Sequence, residues 1–471
     1  MSEFSEKNKM KSCLQFVLFL LIIGTLAFLF LLGYKYKNRF RADDIVNNSV
    51  LQNRKFIGHV QEIKSDNITA WFMEEHSNPI VSVSFSFRHS GSAYEPEDKQ
   101  GLTNVLADML LNGTKSYNAI KFKDLCDEYG IKINFSASKD DFIGSLIFPK
   151  AHMRKAVDLF REVINSPRFD EQYLNLSKQQ LSTSLQIYDE HPQNILQTEF
   201  AEIVFGGHPY SRHRIGKKDN IAALSADDLR DYLNKYLTKN NLLVGVTGDL
   251  SENEAQTLIN ELFARLPEQY HQGSLPKLEI ASMGENFNIK HFSSQAITYF
   301  VTQGTYRNSL DFYPLYVANY IFGEAGLNSR INKNIREKEG LTYGAYTGLQ
   351  INDSSALIVG SFSTTADNFD KAKSILIAEW KSMAASGITA NELLQAKQFL
   401  ISSYNLRFAD IDGISEMLVA MQKYDLGQDF LEKRNNYIRS VTLKEVNAAA
   451  KKYFSNDPDF ISIGVESKEK Q

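Results

Sequence analysis

Two stretches of this chain about 217 residues apart carry the same local signature, and that repeat limits what the chain can fold into. Ser225 is followed three positions later by Asp228, and Thr442 by Glu445. A hydroxyl residue with an acid at that offset is the start signal of a helix. Both expected helices end at a matching Lys-Tyr pair plus an apolar residue, Lys235-Tyr236-Leu237 and Lys452-Tyr453-Phe454. Each then runs into a strand-like segment, Leu242–Val246 in the first half and Phe460–Val465 in the second. Upstream, Ala296–Val301 and a helical pattern over 309–322 echo a strand and helix of the first half. The repeat predicts an α+β chain of two homologous domains, 56–266 and 287–467, joined by the Pro/Gly/polar stretch 267–286. The length of 471 residues, with 43% hydrophobic and 23% charged residues, suits such an arrangement.

Within the first half, Val81–Arg88 alternates apolar and polar residues and reads as a half-buried strand. Gln100–Asn112 has helical spacing in Leu102, Val105, Leu106, Met109 and Leu110. Lys132–Ala137 and Phe142–Phe148 read as strands. Helices follow at about 151–164, 170–188, 194–205 and 251–265.

The N-terminus sets a second constraint. Phe16–Leu32 is uncharged and apolar, and with its flanks, 13–33, it is long enough to cross a ~30 Å hydrocarbon core as a helix. No small-residue cleavage site follows it, so it reads as an uncleaved anchor. It lies between a tail, 1–12, and a polar tether, 34–55. Lys7, Lys9 and Lys11 precede the run and Lys35, Lys37, Arg39 and Arg41 follow it, so charge does not set its orientation. The short tail favours a cytoplasmic N-terminus and a globular part outside. That corresponds to a single-pass protein of a bacterial inner membrane with a periplasmic body.

A formal net charge of -4 and the lack of any basic block argue against nucleic-acid binding. Cys13 lies in the apolar run and Cys126 stands alone in the globular part, so cysteine pairing does not staple the fold.

The chemistry must be read from Gly101–Thr114, GLTNVLADMLLNGT, and Gly323–Tyr346, GEAGLNSRINKNIREKEGLTYGAY. The first resembles the active-site helix of the pitrilysin (insulinase-like) zinc peptidases, which carries an H-x-x-E-H motif. In that family the two histidines bind zinc and the glutamate activates a metal-bound water. Here the frame is kept in Gly101, Leu102, Met109, Leu110, Gly113 and Thr114. The histidine positions are Asn104 and Asp108, and the glutamate position is Ala107. Counting back from the run Tyr188–Pro192 puts the family's third ligand at Ser184. The resemblance therefore implies a degenerate site with no metal and no catalytic residue in this chain. His208 and His213, in GGHPYSRHRIG, offer no rescue, because His208 matches a turn of the family rather than a ligand.

The second segment resembles the C-terminal-domain signature of the same family, with Arg336 and Tyr343 at the spacing of its substrate-binding arginine–tyrosine pair. Taken without the resemblance, Arg336 reads as a solvated helix charge and Tyr343 as a packing residue on a strand. The resemblance implies that both support the transition state by binding the substrate carbonyl and backbone. It also implies two pitrilysin-type α/β-sandwich domains forming half of a clamshell. The function implied is a membrane-anchored, non-catalytic subunit of a heterodimeric zinc metallopeptidase that cleaves peptides. Its partner would carry H-x-x-E-H and the zinc. The alternative is a membrane-bound peptide-binding or scaffold protein of the same fold without peptidase activity.

Overall fold

Both repeat signatures are complete capping boxes. Ser225 Oγ accepts from the Asp228 amide while the Asp228 carboxylate accepts from the Ser225 amide, and Thr442 and Glu445 do the same. They open the helices Ala226–Tyr236 and Leu443–Tyr453, each of which leads into a central strand. The structure is a computed structural model and describes residues 58–269, 273–408 and 410–465. The expected tail, membrane anchor and tether all fall outside these residues. Among the described residues no helix is long and apolar enough to cross a membrane.

The first sheet contains β1 (Gln61–Ser65), β2 (Ile68–Glu74), β3 (Ile80–Phe87), β4 (Lys132–Ala137), β5 (Phe142–Pro149) and β6 (Leu242–Gly248), in the order β1-β2-β6-β3-β5-β4. The second contains β7 (Asn286–Ile289), β8 (Ala296–Gln303), β9 (Ala345–Ile351), β10 (Ala356–Thr364) and β11 (Asp459–Ile463), in the order β7-β11-β8-β10-β9. With β1 set aside, the two orders coincide strand for strand. The sense of each pairing coincides too: β2–β6 and β7–β11 are parallel and the rest antiparallel. A packing detail is also duplicated. Phe85 pairs with Gly144 across β3–β5, and Phe300 with Gly360 across β8–β10. A Cβ on either glycine would lie 2.3 Å or 2.0 Å from the opposing ring, so only glycine admits the aromatic.

Each sheet buries one face against helices of its own domain. Phe85 meets Phe160 and Phe263 edge-on, at 5.4 Å and 5.5 Å, from the helices Met153–Asn165 and Glu252–Phe263. In the second domain Trp380, from the helix Phe369–Ser386, packs on Phe300, Phe322 and Phe454. The other face of each sheet is covered by a helix of the opposite domain. The helix Ile411–Lys423 lies on β6 and β3. The helix Pro192–Phe205 lies on β8 and β11, where Phe200 meets Tyr299 at 5.6 Å.

This exchange corrects the reading of Val81–Arg88 as half-buried. Ser82, Ser84 and Ser86 are as buried as the apolar residues between them. Alternation of apolar and polar residues marks two different faces, and here the serine face meets a helix instead of water. A second correction concerns 309–322. The helix Phe312–Asn319 widens into a π-type turn over Tyr320–Glu324, because Gly323 closes on Thr347 of β9.

The connector is extended where described and touches both domains. His208 Nε2 faces the Pro276 carbonyl at 3.2 Å, and the Leu278 amide donates to the Ser354 carbonyl at 2.7 Å. A buried polar cluster adds to the join. Asp140, in the β4–β5 turn, accepts from the Tyr210 hydroxyl and from the Asp353 amide of the β9–β10 turn. Lys423 pairs with Asp141 and lies 3.4 Å from Asp353, which is also flanked by His89 and Arg88.

Candidate functional site

The degenerate helix, Leu102–Met109, starts at Gly101 with φ +103°, in the left-handed region that glycine tolerates. The carboxylate of Glu95, 4% exposed, accepts from the amides of Gly101 and Thr103 at 2.8 Å and 2.7 Å and from the Thr103 hydroxyl at 2.6 Å. It satisfies donors that a helix start leaves open. Burial pushes its pKa up, opposed by these hydrogen bonds. The frame residues Leu102, Met109, Leu110 and Thr114 are all core, and Gly113 turns the chain at φ +102°. What survives of the motif is therefore its architecture.

The chemistry has been replaced. Asn104 Nδ2 donates at 3.2 Å to the carbonyls of both Arg214 and Ile215, so the amide ties the helix to a loop about 110 residues later in the chain. Ala107 is nearly buried and has no side-chain donor atom. Asp108 is exposed, with Asn112 Nδ2 donating to its backbone carbonyl at 3.0 Å. Ser184 is exposed on the helix Glu171–Glu190, which packs against Leu102–Met109. One amide, one carboxylate and one hydroxyl do not fit zinc, which takes about three strong nitrogen, sulfur or carboxylate ligands. Among the described residues no group of three His, Cys, Asp or Glu side chains could hold a metal ion.

The histidines near this helix are held by the protein. His208 Nδ1 accepts from the Tyr210 amide at 3.1 Å, which makes it the turn residue expected. His213 Nδ1 accepts from the Ile215 amide at 3.2 Å. Its Nε2 lies 3.3 Å from Asp189, and its ring stands edge-on to Tyr188 at 5.1 Å. Burial pushes the His213 pKa down, against the pull of Asp189. The loop that carries His213 is thus latched to the acidic run that ends the Ser184 helix.

In the second domain the motif divides into residues that brace and residues that project. Arg330 forms a two-pronged pair with Glu392 at 2.6 Å and 2.7 Å and donates to the Gly387 carbonyl at 2.9 Å. The Glu392 carboxyl is held down at about 2: burial works against this, and the bonds from Arg330 and Thr389 prevail. Asn332, 1% exposed, brackets Ala345 by donating to its carbonyl at 2.6 Å and accepting from its amide at 2.9 Å. Thr342 Oγ1 donates to the Ser363 carbonyl at 2.7 Å, and Thr364 Oγ1 donates to the Leu341 carbonyl.

Between these braces Arg336 and Tyr343 project outward. Arg336 is exposed on the helical turn Asn332–Lys338, and Tyr343 is 83% exposed in the loop before β9. Among the described residues neither side chain forms a hydrogen bond or ion pair. The sequence singled out the projecting pair. It did not flag Glu95, Asn332 or Arg330–Glu392 as supports, although Arg330 lies within the motif quoted for Arg336.

Comparison with known proteins decides the family. Residues 72–218 match the model of insulinase (peptidase family M16), and residues 223–400 match that of the peptidase M16 inactive domain. The chain belongs to the M16 peptidase family. A Helicobacter pylori protein described as non-peptidase homolog YmxG is 26% identical over 87% of this chain and 95% of its own length. The Bacillus subtilis protein described as uncharacterized zinc protease YmxG is 22% identical over 78% and 89%. Among solved structures, a peptidase M16 inactive domain from Pseudomonas fluorescens superposes with a TM-score of 0.81 at 24% identity, covering 87% of this chain and 99% of that one. The M16 fold thus accounts for both sheets and their duplicated order.

Proposed function

We propose that this M16 chain is the membrane-anchored, non-catalytic half of a two-chain zinc metallopeptidase, completing the active site of a partner that carries H-x-x-E-H. The observation that carries this reading is Tyr343, 83% exposed on a backbone pinned by Thr342 and Thr364. Arg336 is exposed close by in sequence. A packing tyrosine has no reason to project so far from so rigid a loop. An always-charged guanidinium and a phenol suit the stabilisation of negative charge developing on a peptide carbonyl. Asn104, Ala107, Asp108 and Ser184 leave this chain without a metal site or a base, so zinc and water activation belong to the partner. The description of the Helicobacter relative as a non-peptidase homolog supports the same division of labour. The apolar run 13–33 would hold the chain in a bacterial inner membrane with its body in the periplasm, where the substrates would be peptides. A scaffold without a peptidase partner is the other reading, and it gives Arg336 and Tyr343 nothing to do.

The test is co-purification from native membranes, with metal analysis of both chains and peptidase assays of the complex. Zinc is expected in the partner only, and Arg336→Ala and Tyr343→Phe should each lower activity at least tenfold. Full activity in both variants would remove the basis of the proposal.

A further inference from the structure

Two exposed side chains can act together only if the backbones that carry them are held in a fixed relation. Arg336 lies on the turn Asn332–Lys338, and Tyr343 on the loop before β9. The chain that runs directly between them gives a weak hold. Glu337–Gly340 is exposed, and Gly340 sits at φ +64° with nothing within 4 Å of the place a Cβ would take. Two backbone bonds close the turn, from the Gly340 amide to the Arg336 carbonyl at 2.9 Å and from the Leu341 amide to the Ile335 carbonyl at 3.0 Å. Those two bonds reach no further than Leu341.

Asn332 spans the gap. Its buried side-chain amide meets Ala345, 13 positions later, with both ends: Nδ2 donates to the Ala345 carbonyl and Oδ1 accepts from the Ala345 amide. Nδ2 also donates to the Gly326 carbonyl at 2.9 Å. Ser329 Oγ, 3.0 Å from Nδ2, donates to that same carbonyl at 2.7 Å. These partners set the orientation of the amide, because a flipped side chain would turn N–H against N–H at Ala345. A two-point contact resists rotation as well as displacement, and its buried groups are costly to leave unpaired. One side chain thus ties together the turn Gly326–Asn328, the turn that carries Arg336, and the strand that starts two residues after Tyr343.

We propose that Asn332 is a positioning residue for Arg336 and Tyr343. It touches no substrate; it holds the Arg336 turn against the Tyr343 strand so that guanidinium and phenol meet the developing charge together. This role rests on the reading of Arg336 and Tyr343 as the pair that supports the transition state. Displacing such a contact by about 1 Å can cost about 100-fold in rate. Contacts that strengthen only in the transition state act on kcat and leave KM unmoved.

The test uses the complex with the zinc-bearing partner, carrying full-length variants, and a quenched fluorescent nonapeptide that the wild-type complex cleaves. Asn332→Ala is expected to lower kcat about tenfold and to leave KM within about twofold. Added to Arg336→Ala it should cost less than about twofold more, because a positioning residue has nothing to do once the group it positions is gone. A merely structural Asn332 would give losses that add. Asn332→Asp keeps the acceptor for the Ala345 amide and loses both donors, and it takes the place of Asn332→Ala if that variant does not fold. Hydrogen exchange of the wild-type chain needs no variant at all: the Ala345 amide should exchange about 100-fold more slowly than an open loop amide. The proposal is overturned if the folded Asn332 variant keeps wild-type kcat, if the losses add, or if the Ala345 amide exchanges freely. In those three cases Arg336→Ala still loses activity and the reading of the pair stands. Full activity of Arg336→Ala would remove that reading, and the role of Asn332 with it.

Discussion

Ser415 Oγ lies 2.7 Å from Ser84 Oγ, although 331 positions separate the two residues. The bond is buried and joins a helix of the second domain to a strand of the first. Ser415 also reaches Ser82 at 3.0 Å, and beneath it Gly245 leaves no room for a Cβ, which would lie 2.2 Å from the Ser415 carbonyl oxygen. Ser415→Ala removes the partner of the buried Ser84 hydroxyl and should cost about 1–2 kcal/mol. Gly245→Ala forces backbone apart and should cost about 1–3 kcal/mol. Urea denaturation of both variants measures this, and wild-type midpoints would show that the contact contributes nothing.

Acid should loosen the join between the domains. The Asp353 carboxyl is held at about 2: burial pushes it up, but the bond to His89 and the charges of Lys423 and Arg88 pull it further down. A carboxyl held below its unfolded value stabilises the fold fully above about pH 4, and that contribution is lost as pH falls toward 2. The shift corresponds to about 2 kcal/mol. Asp140, beside it, is pushed the other way by burial, so the comparison of wild type with Asp353→Asn isolates the effect. The variant should be less stable at neutral pH, and the gap should close between pH 4 and 2. A gap that stays constant over that window would contradict the assignment.

Arg336 and Tyr343 should be dispensable for folding. Both are exposed and form no hydrogen bond or ion pair among the described residues, so Arg336→Ala and Tyr343→Phe should each change stability by less than about 0.5 kcal/mol. Thermal melts of the isolated chain check this independently of any activity. A large loss of stability would mean that the pair is structural.

Asn104 should act as a tie and not as a ligand. Asn104→Ala removes two hydrogen bonds to the 214–215 backbone and should destabilise by about 1 kcal/mol. The zinc content of the protein after dialysis against the metal, read by mass spectrometry, should be substoichiometric in wild type and unmoved by the substitution. One equivalent of zinc lost on Asn104→Ala would reverse the interpretation.

The parts of this molecule legible in the sequence are those with local causes. Capping boxes are set within four residues, and the two at Ser225 and Thr442 exposed the duplication that the sheets repeat. The frame residues Leu102, Met109 and Leu110 were readable because helical spacing is fixed, and the structure buries all three. What escaped depends on distant segments meeting. Nothing near Ser82, Ser84 or Ser86 tells water from a helix that arrives more than 300 residues later. Asp140, Asp353 and Lys423 each look like ordinary surface charges until the fold buries them together. Glu95 is likewise unremarkable in sequence, because its partners Gly101 and Thr103 become donors only when the helix forms.

The crossing of Pro192–Phe205 and Ile411–Lys423 makes the two domains one folding unit, because each half on its own would leave one side of its sheet bare. The two halves are not identical, so one sheet lines its contact with serines, at Ser82 and Ser84, while the other uses Ile297 and Tyr299.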